Sequence, residues 1–189
     1  MGYPLELLAA YWTIAGRIES FETNDKSSFD FRDRVEAAAH AGYKGIGIKH
    51  ADLMAVAGQY GFPEMKAILQ HNGIKYLELE ALFDWFTDGE RRNQSDMVRK
   101  DLLHAAERLN ARHLKVVGDF LGGDWPIGKM TECFNDLCTE AANVGALVGL
   151  EIIPFSNVRD IPTALSIAGE TDTRNGGVLL DIWHINRGG

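Results

Sequence analysis

Short apolar runs alternate along the chain with longer segments in which apolar residues recur every three or four positions. A run of about four to eight apolar residues predicts a buried strand, and the wider spacing predicts a helix with one apolar face. The predicted strands cover residues 7–14, 43–49, 74–81, 113–117, 147–153 and 178–182. A helical segment fits between each consecutive pair of strands.

Residue types at the segment ends support these helices. Gly42 follows the first one, where glycine can adopt the left-handed conformation that ends a helix. Ser95 and Thr131 are residue types that cap helix N-termini, so each predicts the start of a helix. The predicted helices cover residues 31–41 and 63–71, the segments that follow Ser95 and Thr131, and residues 162–168.

The regular alternation predicts a parallel sheet with helical crossovers. An open, doubly wound sheet usually has the nucleotide-binding pattern GxGxxG after its first strand, but the segment AYWTIAGRIES contains a single glycine. A closed barrel uses about 31 residues per strand–helix unit, so 189 residues provide about six units. We therefore predict an α/β protein with a TIM (β/α)8-type barrel. About six of its eight units lie in one domain over residues 1–189.

The composition, with 46% hydrophobic and 24% charged residues, is that of an ordinary soluble domain. The net charge of −8 disfavours nucleic acid as a partner, because its backbone is also negative. No apolar run approaches the roughly 20 residues of a membrane helix. We expect a cytoplasmic protein that binds neither nucleic acid nor membrane, with Cys133 and Cys138 as core thiols.

Carboxylates follow several of the predicted strands. Glu80, Asp119, Glu151 and Asp181 come at or after the ends of apolar runs. Barrel enzymes carry their chemistry at the C-terminal ends of the strands, and a carboxylate there must be hydrogen-bonded, paired or bound to a cation. Glu151 and Asp181 end neighbouring strands, so we predict that their oxygens lie close enough to share a cation.

Two motifs carry a resemblance to a known family. LEIIPF, followed about thirty residues later by LLDIWHINRGG, resembles strands five and six of the sugar phosphate isomerase/epimerase family of xylose-isomerase-like barrels. The segments AAAHAGYKGIGI and LELEAL agree with the layout of that family. Its members hold a divalent metal with a Glu after strand five, an Asp after strand six, a His and a further Glu. Glu151 and Asp181 match the first two, and the second pair has no counterpart in this sequence.

The resemblance implies a metal-dependent isomerase or epimerase that acts through an enediolate on a small polyhydroxylated carbonyl compound or sugar phosphate. The cation would be Mg²⁺, Mn²⁺, Co²⁺ or Zn²⁺. Glu151 would be a metal ligand and the catalytic acid/base, and Asp181 a ligand only. His184 matches a residue that contacts substrate oxygens in ketose epimerases and binds a further zinc in the related DNA-repair endonucleases. It is therefore a candidate catalytic hydrogen-bond donor, and the alternative is a loop histidine that covers the rim.

Other functions remain open at this point. The same enolate chemistry would serve an inosose-type dehydratase. An apurinic-site endonuclease is disfavoured by the acidic charge and by the sequence KVVGDF, where those enzymes have an HPG-type motif. A truncated barrel without catalysis is the remaining alternative.

Four further residues are candidates for contacts with the substrate: His50, Glu80, Trp12 and Arg187. His50 follows the second predicted strand, and the alternative interpretation is a solvated loop histidine. Glu80 shares its face with Glu78, and the alternative for these two is a solvated pair. Trp12 could cover the apolar side of a sugar, and Arg187 could bind a phosphate or carboxylate.

A barrel of six units would leave its first and sixth strands unpaired. Such edges recruit partners or aggregate. We therefore expect either that the natural chain continues past Gly189 into two more units, or that a homo-oligomer closes the seam.

Overall fold

The computed structural model describes residues 5–16, 25–169 and 173–188. Within this part of the chain, six parallel strands form one sheet in the order β1-β2-β3-β4-β5-β6. The strands are β1 Leu8–Ala9, β2 Gly45–Lys49, β3 Tyr76–Leu82, β4 His113–Val117, β5 Leu147–Glu151 and β6 Gly176–Leu179. Each strand pairs with its neighbour in sequence, which is the strand order of a TIM barrel, and the chain covers part of such a barrel. The predicted fold is confirmed.

Helices follow the strands in the expected alternation. They are α1 Tyr11–Ile14, α2 Phe31–His40, α3 His50–His71, α4 Gly89–Leu109, α5 Ile127–Asn143, α6 Ile161–Ala168 and α7 Ile182–Gly188. No described helix has the length and apolar character needed to cross a membrane. Cys133 and Cys138 lie on α5 as free thiols, with Cys138 buried and Cys133 partly buried.

Several predicted boundaries are wrong. The first strand is shorter than residues 7–14, because Tyr11 turns into α1 and its backbone N–H donates to the Glu80 carboxylate. The last strand ends at Leu179, and Asp181 directly precedes α7, where its carbonyl accepts the backbone N–H of Ile185. The helix predicted from residue 63 is the second half of α3, which already begins at His50 and kinks at Gly61.

Ser95 and Thr131 do not cap helices, contrary to prediction. α4 begins at Gly89 and α5 at Ile127, so both residues lie inside a helix. Their hydroxyls act as donors: Ser95 donates to the Phe83 carbonyl at 2.6 Å, and Thr131 to the Ser166 carbonyl at 3.4 Å. A cap would instead require each hydroxyl to accept a hydrogen bond from a backbone N–H of the first turn.

The two faces of the sheet differ in chemistry. Side chains alternate along each strand. One set is apolar and buried in the core: Ile46, Ile48, Leu77, Leu79, Leu114, Val116, Val148 and Leu150. The alternate positions on β2 to β5 include Gly47, Glu78, Glu80, His113, Lys115 and Glu151. Charged groups are thereby gathered on one face of a buried sheet.

Candidate metal and acid–base site

Glu151, Asp181 and His184 converge at the C-terminal ends of β5 and β6. One ligand atom from each lies within 4.8 Å of the other two. Glu151 is the last residue of β5. Asp181 precedes α7, where its Oδ1 accepts hydrogen bonds from the backbone N–H of Trp183 at 2.7 Å and of His184 at 3.2 Å. The start of α7 therefore orients both the aspartate and the histidine.

The Glu151 carboxyl lies in a low-dielectric, acidic environment. Only 6% of the residue is exposed. Burial raises the pKa of Glu151 to about 7, and the neighbouring acids Glu80, Glu78 and Asp181 act in the same direction, while Lys115 opposes them. A carboxyl with a pKa near neutrality can both accept and return a proton, as a general acid/base must.

The His184 imidazole lies beside Glu151 and is unsatisfied. Its Nε2 is 4.0 Å from Oε1 of Glu151, and its Nδ1 is buried without a hydrogen-bond partner. The ring centroids of Phe155 and Trp183 lie 6.3 Å and 5.1 Å from the centroid of the His184 ring. A buried polar nitrogen without a partner is costly in free energy, and Nε2 is the nitrogen of this ring that faces Glu151.

Beneath these three residues lies a buried ion cluster centred on Lys115, a residue that the sequence did not single out. Lys115, on β4, is within 2.6 Å of Oε2 of Glu80, 3.4 Å of Oε1 of Glu78 and 3.8 Å of Oε2 of Glu151. Although burial lowers the pKa of Lys115, these carboxylates raise it above its usual range. The signal in the sequence was a lysine in the middle of the apolar strand HLKVV.

Glu78 and Glu80 are both buried, so the alternative of a solvated pair is wrong. Glu80 is 2% exposed and accepts the backbone N–H of Tyr11 at 2.7 Å. His113 Nε2 lies 2.6 Å from Oε2 of Glu78. Gly47 leaves room for this arrangement, since a Cβ at that position would lie 2.3 Å from Oε1 of Glu80.

The sequence model of the xylose isomerase-like TIM barrel family matches residues 35–189. The chain belongs to this family. The resemblance seen in its two motifs is thereby confirmed. A search of curated protein sequences gave no match.

Solved structures of xylose isomerase-like barrels share the fold. An IolI protein with a bound zinc atom superposes with a TM-score of 0.81 at 18% identity, covering 98% of this chain and 66% of that one. D-Psicose 3-epimerase from Clostridium cellulolyticum H10 with D-tagatose has a TM-score of 0.74 at 18% identity, covering 96% and 65%. The probable 3-DHS dehydratase AsbF from Bacillus anthracis has a TM-score of 0.68 at 17% identity, covering 97% and 65%. The chain spans about two thirds of the length of these proteins.

Three other candidates contact different partners in this barrel. His50 begins α3, and its Nε2 lies 2.8 Å from Asp101 Oδ2 on α4. Trp12 is on α1, with the Lys49 ammonium 4.7 Å from its ring centre. Arg187 is exposed on α7 and stacks over Trp183 at 5.1 Å. His50 and Glu80 both line a cavity of about 260 Å³ beside Lys49 and Arg91.

Asp119, after β4, has a structural role rather than a place in the convergent site. Its side chain is fully buried and accepts hydrogen bonds from the backbone N–H of Leu121 and Gly123 at 2.9 and 3.0 Å, from the Trp125 indole at 2.8 Å and from Arg91 at 2.6 Å. Burial alone would raise the pKa of Asp119, but Arg91 and the other donors hold it well below its usual range. Asp119 thus organises the loop that follows β4.

Proposed function

We propose that this chain carries the active site, or part of it, of a divalent-metal-dependent isomerase or epimerase that acts on a small polyhydroxylated carbonyl compound. The observation that carries the proposal is the convergence of Glu151, Asp181 and His184 at the mouth of the barrel. In barrels of this kind, the C-terminal ends of the strands are where the chemistry takes place.

The donor set suits a divalent cation. Two carboxylate oxygens and an imidazole nitrogen are ligands for Mg²⁺, Mn²⁺, Co²⁺ or Zn²⁺, and one such atom of each side chain lies within 4.8 Å of the other two. Glu151 and Asp181 would hold the cation, and His184 would add the nitrogen. When bound, the cation would supply the positive charge that stabilises an enediolate.

The chain itself provides the proton chemistry. Glu151, with its pKa of about 7, would take the proton from the carbon beside the substrate carbonyl and return it to the neighbouring position or the opposite face. A polyhydroxylated substrate would lie at the mouth, above the buried Lys115 cluster.

A dehydratase is the second candidate. The fold is shared with the probable 3-DHS dehydratase. After the same proton removal, the enolate would expel its β-hydroxyl, which would leave as water with the proton that Glu151 had taken. An endonuclease is less consistent with the site. Where those enzymes have an HPG-type motif after the fourth strand, this chain has Asp119, whose carboxylate already accepts hydrogen bonds from Leu121 and Trp125.

The test is hydrogen exchange in heavy water. The chain with Mn²⁺ is incubated with ketoses, including D-tagatose and D-fructose, and with an inosose. We expect deuterium at the carbon beside the carbonyl, loss of exchange with EDTA, and a mass decrease of one water only if the enzyme is a dehydratase. Glu151→Gln should abolish exchange, while Glu107→Gln, an exposed site on α4, should not. Absence of exchange from every compound with Mn²⁺ bound would reject the proposal.

A further inference from the structure

Lys115 is a cation placed in the interior of the barrel. Its side chain is 9% exposed and projects from the middle of β4. Removing an ammonium group from water is unfavourable unless close carboxylates and hydrogen bonds compensate. The Glu80 carboxylate at 2.6 Å is its shortest ion pair, and Glu78 and Glu151 lie at 3.4 and 3.8 Å.

The three carboxylates around Lys115 differ in the other partners that hold them. Glu78 already has His113 as a partner at 2.6 Å, and Glu80 accepts the Tyr11 N–H in addition to its ion pair with Lys115.

Glu151 is different, because its close cationic or imidazole contacts are Lys115 at 3.8 Å and His184 at 4.0 Å. Lys115 thus connects a rigidly held acid pair to the carboxylate of the proposed site.

The two oxygens of Glu151 are directed at different partners. Oε2 faces Lys115, and Oε1 faces His184. In the register of the sheet, Val117 is opposite Glu151 and Lys115 is opposite Gly149, so the lysine stands one layer deeper and reaches towards the mouth. A contact from below can hold one oxygen while the other remains directed at the mouth.

We infer that Lys115 is a positioning residue for Glu151: its ammonium fixes Oε2 and leaves Oε1 directed at His184. Glu78 and Glu80 hold the ammonium in place. The inference rests on the proposed function only in assigning Glu151 to cation binding and proton transfer.

The test compares Lys115→Met with Lys100→Met, a substitution at an exposed position on α4. Mn²⁺ affinity is measured by titration calorimetry at a series of pH values, and the variants are compared where a further rise in pH no longer changes the Kd, so that Glu151 is ionised in both. Loss of a nearby positive charge alone would tighten Mn²⁺ binding. Loss of positioning should instead weaken it about tenfold, as is typical when a group that orients a ligand is removed. Tighter or unchanged binding in Lys115→Met would overturn the inference.

Two further measurements keep the test decisive. In the exchange assay, Lys115→Met should lower kcat about tenfold or more with little change in KM, and Lys115→Arg should recover part of that loss. Glu80→Gln, which removes the anchor of Lys115 and keeps the lysine, should shift Mn²⁺ affinity in the same direction by a smaller factor. It serves in place of Lys115→Met if that variant does not fold.

A measurement without metal separates this inference from the proposed function. Scalar couplings of the Glu151 side chain, measured by NMR in the metal-free chain, should indicate one rotamer in the unsubstituted protein and averaged rotamers in Lys115→Met. If the unsubstituted chain shows this single rotamer but binds no Mn²⁺, the proposed function fails while the positioning role stands. Averaged couplings in the unsubstituted chain would overturn the positioning role.

Discussion

His184 Nε2 lies 4.0 Å from Oε1 of Glu151, which brings the first turn of α7 against the end of β5. The contact depends on Asp181, whose carboxylate accepts the N–H groups of Trp183 and His184 and so sets the direction in which α7 leaves the sheet. A helix start and a strand end thereby combine into a single donor set.

Replacing His184 with Ala should weaken Mn²⁺ or Zn²⁺ binding about tenfold or more, because one nitrogen donor is removed from the set. Calorimetric titration of the metal-free chain measures the change. His40→Ala, at an exposed position in the last turn of α2, is the control. Unchanged metal affinity with a raised KM would instead assign His184 to the substrate.

Metal affinity should depend on pH through Glu151. Its pKa is raised to about 7, so below that pH a proton occupies the carboxylate and must leave before a cation binds. The Kd for Mn²⁺ should therefore rise about tenfold for each pH unit below 7 and level off above it. Repeating the titration in His184→Ala removes the contribution of the imidazole. A Kd that is constant between about pH 5.5 and 8 in that variant would contradict the assignment.

Asp119→Ala should destabilise the fold by about 3 kcal/mol, because it leaves Arg91, the Trp125 indole and two backbone N–H groups without their shared acceptor. Chemical denaturation measures the loss. Asp124→Ala changes an exposed acid in the same loop and should have an effect within about 0.5 kcal/mol. Equal stabilities of the two variants would show that Asp119 does not organise this loop.

Gly47→Ala should destabilise the chain by about 2 kcal/mol, since the new methyl group would lie 2.3 Å from Oε1 of Glu80 and 2.8 Å from the Tyr11 nitrogen. Gly58→Ala is the matched control. It lies in α3 with open space around the position, so it should stabilise the helix by about 0.5–1 kcal/mol. Thermal or urea unfolding of both variants compares the two signs directly. A neutral Gly47→Ala would mean that the buried acid pair can rearrange freely.

The sequence supported the fold and part of the site for a local reason. Buried strands and amphipathic helices leave different periodicities, so β4 was predicted with its observed bounds, and Glu151 was expected at the strand end where it lies. Helix starts were less predictable, because a serine or threonine hydroxyl caps a helix only if it accepts a backbone N–H. Ser95 and Thr131 donate to carbonyls instead.

Periodicity and strand-terminal acids were sufficient to determine, from the sequence alone, a parallel α/β barrel with Glu151 and Asp181 at neighbouring strand ends. Only the tertiary structure decided which acids have partners inside the protein. Asp119 and Glu151 look alike in sequence, yet Arg91 and Trp125 surround the first, while the second faces Lys115 and His184. The reason is physical: a carboxylate takes its protonation and its role from charges and donors within a few ångströms, and parallel strands supply those neighbours from residues far away along the chain.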